Sequence, residues 1–363
     1  MKIINQIEPF ITAKDKKAIS KYLNNNGWIT ENLVSKKFEL EFSKLVKSKY
    51  SIVYPNGTLT IFSILVALGV KKNDEVIVPN YTMVATANAV KLAGAKPILC
   101  DIEDQYLCMD PNQLLLKINK KTKVVIYVTL NGRSGFIEEI TKICKQKKIF
   151  LLEDSAHSIG SYYKNKHHGT FGIASSFSLS MPKLITTGQG GFVVTSEKKL
   201  ADQIKEIKNF GRRSDGNDIY FSTGYNFKFT DIQAALGLSQ LKAIKKKIKK
   251  KKEIFKTYLN GLSKINGLKM FGFNKNETPW FCDLYLNNPK DLQKYLLKFN
   301  IKSRLVYPPL NSLKILKTIG DFKNSEYYCN RGIWLPSSLN LSKNEIKFVI
   351  SKIKNFMDNY AKN

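Results

Sequence analysis

From Tyr50 to about Ser196 the chain alternates short apolar runs with stretches of helical spacing. The runs are YSIVYPNG, DEVIVPN, KPILCDI, KVVIYVTL, KIFLLEDSA, ASSFSLS and GGFVVTS. Most are apolar at successive positions and lack the in-out alternation of a half-exposed strand, which predicts strands covered on both faces. An α/β architecture with a largely parallel sheet and helices between the strands follows. Ahead of it, SKYLNNNGWIT reads as a leading helix and a loop. Beyond the lysine-rich KAIKKKIKKKKEIFK (Lys242 to Lys256) the pattern changes. FCDLYLNNPKDLQKYLLKFNIKSRLVYPPL reads as strand, helix, strand, and NEIKFVISKIKNFMDNYAK as a closing helix. The pattern divides the chain into a large unit, 1–250, and a smaller α/β unit, 251–363, with no internal repeat.

Composition narrows the class. In 363 residues, 43% hydrophobic and 11% aromatic content is enough for a large core and a second, smaller one. No run approaches the roughly 18 to 20 apolar residues of a membrane helix. The start, MKIINQIEPFITAKDKK, lacks the apolar core of a secretory signal, so the cytoplasm is the expected address and no membrane contact is expected. The five cysteines are far apart and form none of the close pairs of zinc sites; free thiols and no metal are expected. The net charge, 59 − 29 = +30, raises the question of a polyanion partner. The lysines are scattered, however, and the densest run reads as a helix with a solvated lysine face, so nucleic acid is not the expected partner.

In open α/β sheets, ligands bind beyond the carboxyl ends of the strands. Three such ends carry candidate chemistry. In YPNGTLTIFSILVAL a strand runs through Asn56, Gly57 and Thr58 into a helix, whose free N–H groups favour a phosphate; an ordinary strand-to-helix turn would look the same. In FLLEDSAHSIGSYY a strand delivers Glu153, Asp154 and His157, for a protonated ring nitrogen, for a metal, which would need more partners, or for a helix cap. His167 and His168 sit in a polar turn and read as solvent-exposed. In SFSLSMPKLITTGQGG, Lys183 follows a buried strand and precedes a glycine-rich turn. Desolvation there would lower its pKa and make it a competent amine for a Schiff base. Phosphate cradle, carboxylate and reactive lysine together suit pyridoxal phosphate.

These residues resemble the DegT/DnrJ/EryC1/StrS group of sugar aminotransferases, within the aspartate-aminotransferase type (fold type I) of pyridoxal-phosphate enzyme. The resemblance covers nearly the whole chain, including GWIT, PNGTLTIFSILVALGVKKNDEVIVPNYTMVATANAVKLAGAKPILCDI, LLEDSAHSIGSYYKNKHHGTFG, GYNFKFTDIQAALGLSQL and RGIWLPSSLNLSKNEI. It implies Lys183 as the Schiff-base lysine, Asp154 as the partner of the pyridine nitrogen and His157 as the polar residue near the phenolic oxygen. It also implies phosphate contacts from Gly57, Thr58 and Ser178, an aromatic against the ring from Tyr81, and a phosphate contact across a homodimer from Asn226. Three departures stand out: Gln189 in TTGQGG where glutamate is usual, Lys228 where arginine is usual, and TLNGRSG (Thr129 to Gly135) in place of a HLYGHP-like segment.

The resemblance implies transfer of an amino group from glutamate to a nucleotide-linked 4-keto-6-deoxyhexose, giving a 4-amino sugar for surface polysaccharide or glycan synthesis. Trp28, Thr30, Arg304 and Tyr307 are the expected substrate contacts, with packing or surface roles as their alternative. Amination at C3, a pyridoxal-phosphate sugar dehydratase and a polyanion-binding protein on the same scaffold are the competing readings. Related dehydratases replace the lysine by histidine, and Lys183 is retained here.

Overall fold

The structure, a computed structural model, describes residues 2–25, 27–214, 216 and 218–360. The chain opens with helices α1 (Ala13–Asn24) and α2 (Leu33–Val46). Strands β1 (Tyr50–Tyr54), β2 (Glu75–Pro79), β3 (Lys96–Cys100), β4 (Thr122–Val128) and β5 (Phe150–Asp154) then alternate with helices α3 (Gly57–Ala67), α4 (Ala85–Leu92), α5 (Pro111–Lys117) and α6 (Ile137–Gln146). A short hairpin, β6 (Tyr162–Tyr163) and β7 (Lys166–His167), precedes β8 (Ala174–Ser178) and β9 (Gly191–Thr195). Helices α7 (Lys198–Lys208), α8 (Asp231–Lys242) and α9 (Ile244–Leu262) lead to the C-terminal elements. These are β10 (Cys282–Tyr285), α10 (Pro289–Leu297), β11 (Arg304–Leu305), α11 (Lys323–Cys329), β12 (Gly332–Leu335) and α12 (Lys343–Tyr360).

All seven expected strands enter one sheet, ordered β1-β9-β8-β5-β4-β2-β3. Every strand but β9 runs the same way. Both faces are covered, as the unbroken apolar runs require. Val76 and Val78 of β2 pack toward α3 and α4, while Ile77 between them joins Ile137 and Ile140 of α6 on the other side. At the opposite end of the sheet, Phe177 and Phe192 pack on Phe38 and Phe42 of α2. A second, antiparallel sheet, β10-β12-β11, carries α9, α10 and α12 on a separate core. The N-terminal segment is tied to this smaller unit, since Ile4 N–H donates to Asn300 O and Lys302 N–H to Ile4 O.

Helix α9 runs unbroken across residue 250, the position expected to divide the two units. The sequence expectation of a wholly solvated lysine face needs correction. Lys245, Lys246, Lys249 and Lys256 are exposed, but Lys247 and Lys251 are buried where α9 packs against the rest of the molecule. Their ammonium groups donate to carbonyls of Leu184, Trp280 and Ser337. His167 and His168, expected in solvent, are also buried. The β6–β7 hairpin folds over the loop after β5, so that His167 Nε2 accepts from Gly160 N–H and His168 Nε2 pairs with the Ser134 hydroxyl. Burial pushes these imidazoles down to about 4 and about 3. The five cysteines are all free and buried. Among the described residues no helix is long and apolar enough to cross a membrane.

Candidate active site

The carboxyl ends of β1, β4, β5 and β8 open on a cavity of about 400 Å³. It is lined by Gly57, Thr58, Asp154, His157, Ser178, Lys183, Arg304 and Tyr307, which bring together eight of the positions singled out from sequence. Each arrives by a local rule. Asn56 caps α3 by accepting Leu59 N–H at 3.0 Å. Helix geometry then leaves the N–H groups of Gly57 and Thr58 without intrahelical partners at the cavity. Gly191, at the start of β9, lies against this turn: a Cβ there would stand 2.9 Å from Gly57 N, which is why the TTGQGG turn ends in glycine.

Strand β5 separates its two carboxylates by alternation. Glu153 faces away from the cavity and accepts N–H bonds from Gly169, Phe171 and Gly172, so it organises the loop before β8. Asp154 faces the cavity and accepts from Thr86 Oγ1 at 2.7 Å and from Ala156 N–H at 3.2 Å. Burial pushes its pKa up, while Thr86, Ala156 and the nearby Lys183 pull it back. His157 Nδ1 accepts from Asn131 N–H at 3.3 Å, so the neutral ring carries its proton on Nε2. Burial and the charge of Lys183 both push its pKa well down.

Lys183 follows β8 in a turn closed by its N–H donating to Ser180 O. Its side chain opens to the cavity and is otherwise enclosed. Burial lowers the pKa of its amine from 10.5 to about 7, with the Asp154 carboxylate acting in the opposite direction. An amine lowered toward neutrality in this way is suited to act as a nucleophile and a proton carrier. The Arg304 guanidinium is exposed at the cavity and lies 5.8 Å from the ring of Tyr307.

Four sequence candidates are not in the cavity of this chain. Tyr81 is 1% exposed and pairs its hydroxyl with that of Tyr285, so it is packed into the core and does not face the site. From this loop it is Thr82 and Met83, the next two residues, that line the cavity. Trp28 is 70% exposed, and Thr30 is held at the surface by a bridge to Thr230. Asn226 is exposed, in a bridge to Asn209. Conversely, Thr86, Met83 and Trp280 were not readable as site residues. Each gains its position from tertiary packing, and only the TMVATANA segment, already tied to the family resemblance, could have pointed to the first two.

The donor set fits pyridoxal phosphate: a depressed lysine amine for its aldehyde, a buried carboxylate with acceptor capacity left toward the cavity for its ring nitrogen, and a helix N-terminus with the Ser178 hydroxyl for its phosphate. Fold and site thus define a pyridoxal-phosphate-dependent transferase of the aspartate-aminotransferase type. The chain belongs to the DegT/DnrJ/EryC1/StrS aminotransferase family, which it matches over residues 9–354. It is 32% identical to GDP-perosamine synthase of Escherichia coli O157:H7 over 360 residues, covering 98% of this chain and 99% of that protein. Among solved structures it superposes on Helicobacter pylori PseC, an aminotransferase involved in the biosynthesis of pseudoaminic acid, with a TM-score of 0.92 at 26% identity. That match covers 99% of this chain and 100% of the other. Spr1654 from Streptococcus pneumoniae in its PLP-form matches with a TM-score of 0.93 at 25% identity, covering 99% of both chains. The protein is a pyridoxal-phosphate-dependent sugar aminotransferase.

Proposed function

We propose that the protein moves an amino group from glutamate to the keto carbon of a nucleotide-linked 4-keto-6-deoxyhexose, giving a 4-amino sugar, and works as a homodimer with shared sites. The observation that carries this reading is the meeting of Lys183 and Asp154 in one cavity of a chain collinear with a synthase of perosamine, a 4-amino sugar. When bound, pyridoxal phosphate supplies the aldehyde that accepts the amino group and the ring that takes up the electron pair left when a C–H bond breaks. Asp154 would hold the proton on the ring nitrogen. Gly57, Thr58 and Ser178 would hold the phosphate, and the Nε2–H of His157 would be available to the phenolic oxygen. Lys183 Nζ takes the proton from the donor's Cα and returns it on the other side of the transfer. The same steps in reverse deliver the amino group to the sugar.

Arg304, a cation exposed at the cavity, suits a donor carboxylate or a substrate phosphate. The exposed apolar side chains of Trp28 and Ile29 and of Phe210, Tyr220, Phe221 and Tyr225 support a subunit contact. Asn226, on the same surface segment as Tyr225, would then reach the phosphate of the partner's site.

A purified sample with pyridoxal phosphate is expected to show a visible absorption band that glutamate bleaches and that Lys183→Ala does not form. Adding nucleotide-linked 4-keto-6-deoxyhexose should restore the band and yield amino sugar. Loss of sugar oxygen without consumption of glutamate would overturn transamination.

A further inference from the structure

Trp280 reaches the cavity from the segment that leads into β10. It is 5% exposed and meets the Lys183 segment twice. Lys183 Nζ lies 3.9 Å from the centroid of the indole, and the indole Nε1–H donates at 2.8 Å to the carbonyl of Pro182, immediately before the lysine. The same ring stacks on His157, with centroids 3.8 Å apart and planes 18° from parallel. An ammonium over an indole face is attracted by the ring quadrupole, most strongly where water is excluded.

Phe281 also stacks on the indole, with centroids 3.7 Å apart and planes 20° from parallel, and hydrogen bonds fix the segment that carries both rings. Trp280 N–H donates to Asn131 O, and Trp280 O accepts from the buried Lys251 ammonium at 2.7 Å. Phe281 is paired with the Asn131 amide in both directions, N–H to Oδ1 at 2.7 Å and Nδ2 to O at 2.9 Å. Asp283 takes two hydrogen bonds from Arg133, at 2.8 and 2.7 Å, in a pair with both side chains buried. Asn131 and Arg133 belong to TLNGRSG, the stretch in which this chain departs from the family pattern.

We propose that Trp280 is a positioning residue for Lys183: its indole carries the protonated lysine beside the cavity, and Asn131 and Arg133 hold the segment Phe281 to Asp283 that follows it. The proposal rests on the reading of Lys183 as the reactive amine. Lysine swings on a flexible four-carbon stem, and each cycle asks it to leave the cofactor, hold a proton and return. A π face holds the ammonium at a fixed spot and lets the neutral amine go, because only the charged form is attracted. The charged groups around the amine agree with this division. Asp154 and His157 face it from the end of β5, and Arg304 and Tyr307 line the same cavity. Lys247 and Lys251 of α9 are turned to backbone carbonyls. Asp154 and the indole favour the ammonium, and burial opposes them.

Competitive labelling of Lys183 with acetic anhydride across pH, read by peptide mass spectrometry, reports the amine in protein stripped of cofactor and needs no turnover. The wild-type amine is expected to titrate at about 7. Trp280→Leu, apolar but without a π face, should titrate about one pH unit lower. Trp280→Phe, with a smaller π face, should fall between. Asn131→Ala, which removes the two side-chain bonds to the Phe281 backbone but keeps the carbonyl that accepts Trp280 N–H, should move in the same direction as Trp280→Leu by a smaller amount. An unchanged or higher value in a folded Trp280→Leu protein overturns the proposal; if that variant does not fold, Trp280→Phe and Asn131→Ala are judged by the same criterion. A wild-type protein that forms no visible band with pyridoxal phosphate would overturn the functional reading while leaving the labelling shift in place, so the two failures are distinguishable.

Discussion

The Thr86 hydroxyl donates to Asp154 Oδ2 at 2.7 Å, with both residues buried at the carboxyl end of the main sheet. A carboxylate in this position resists ionisation, and Thr86 is the largest of the contacts that favour its charge. Thr86→Val keeps the shape and removes the donor. Hydrogen bonds to charged groups contribute about 1.5–3 kcal/mol, so affinity for pyridoxal phosphate is expected to fall roughly 10- to 100-fold. Absorbance titration of wild type and variant with the cofactor measures this. Equal affinities would mean that Asp154 keeps its charge without help from Thr86.

Arg133 and Asp283 make a second buried charge relationship, this one between the loop after β4 and strand β10. The guanidinium also donates to the carbonyls of Phe271 and Gly272 and lies 4.4 Å from the ring centre of Phe273. Removing only the arginine leaves a carboxylate buried without its cation. Arg133→Met is expected to cost about 3–5 kcal/mol in urea unfolding, and Arg133→Met with Asp283→Leu to recover most of that loss. A single variant as stable as wild type would show that Asp283 finds another partner.

The large sheet is legible because its strands are covered on both faces, which writes apolar residues at consecutive positions. Strand β12, GIWL, is harder to read: it has four residues and is defined by pairing with β10 and β11, both distant along the chain. The cavity is legible where chemistry sits at strand ends, as with Lys183 and Asp154. It is not legible where a side chain arrives from elsewhere in the fold. Trp280 comes from the edge of the small sheet, and no periodicity announces that its ring will lie under Lys183. Tyr81 and Met83 show the same limit at short range, since the turn after β2 decides which of two neighbouring large side chains lines the cavity. Lys247 and Lys251 are indistinguishable from their solvated neighbours in a run of lysines; only the packing of α9 separates them.

Those two buried lysines make a prediction for stability. Burial lowers the pKa of Lys251 from 10.5 to about 8, with the neighbouring Cys282 acting the other way. Between these values the unfolded chain binds more protons than the folded one, so the lysine's contribution to folding stability grows as pH rises through that window. From pH 7 to pH 9, below the range where buried tyrosines reverse the trend, the gain from Lys251 is about 1 kcal/mol. Lys251→Met is expected to show a correspondingly flatter rise in urea-unfolding free energy over that interval, whatever its absolute stability. An unchanged slope would place the titration of Lys251 outside the window.

The shared-site reading has a test that activity of single variants does not supply. Lys183→Ala and Asn226→Ala should each be nearly inactive, the first for lack of the amine and the second for lack of a phosphate contact. If Asn226 serves the partner's cavity, a hybrid of the two variants contains one site with both residues intact and one with neither. Unfolding and refolding an equal mixture makes half of the dimers hybrid, and each hybrid has one of its two sites restored, so roughly a quarter of wild-type activity should return. If Asn226 instead serves its own chain's cavity, every site in every dimer lacks one residue or the other and no activity returns. Recovery near a quarter, tracking the hybrid fraction as the mixing ratio changes, would establish both the dimer and the direction of the contact.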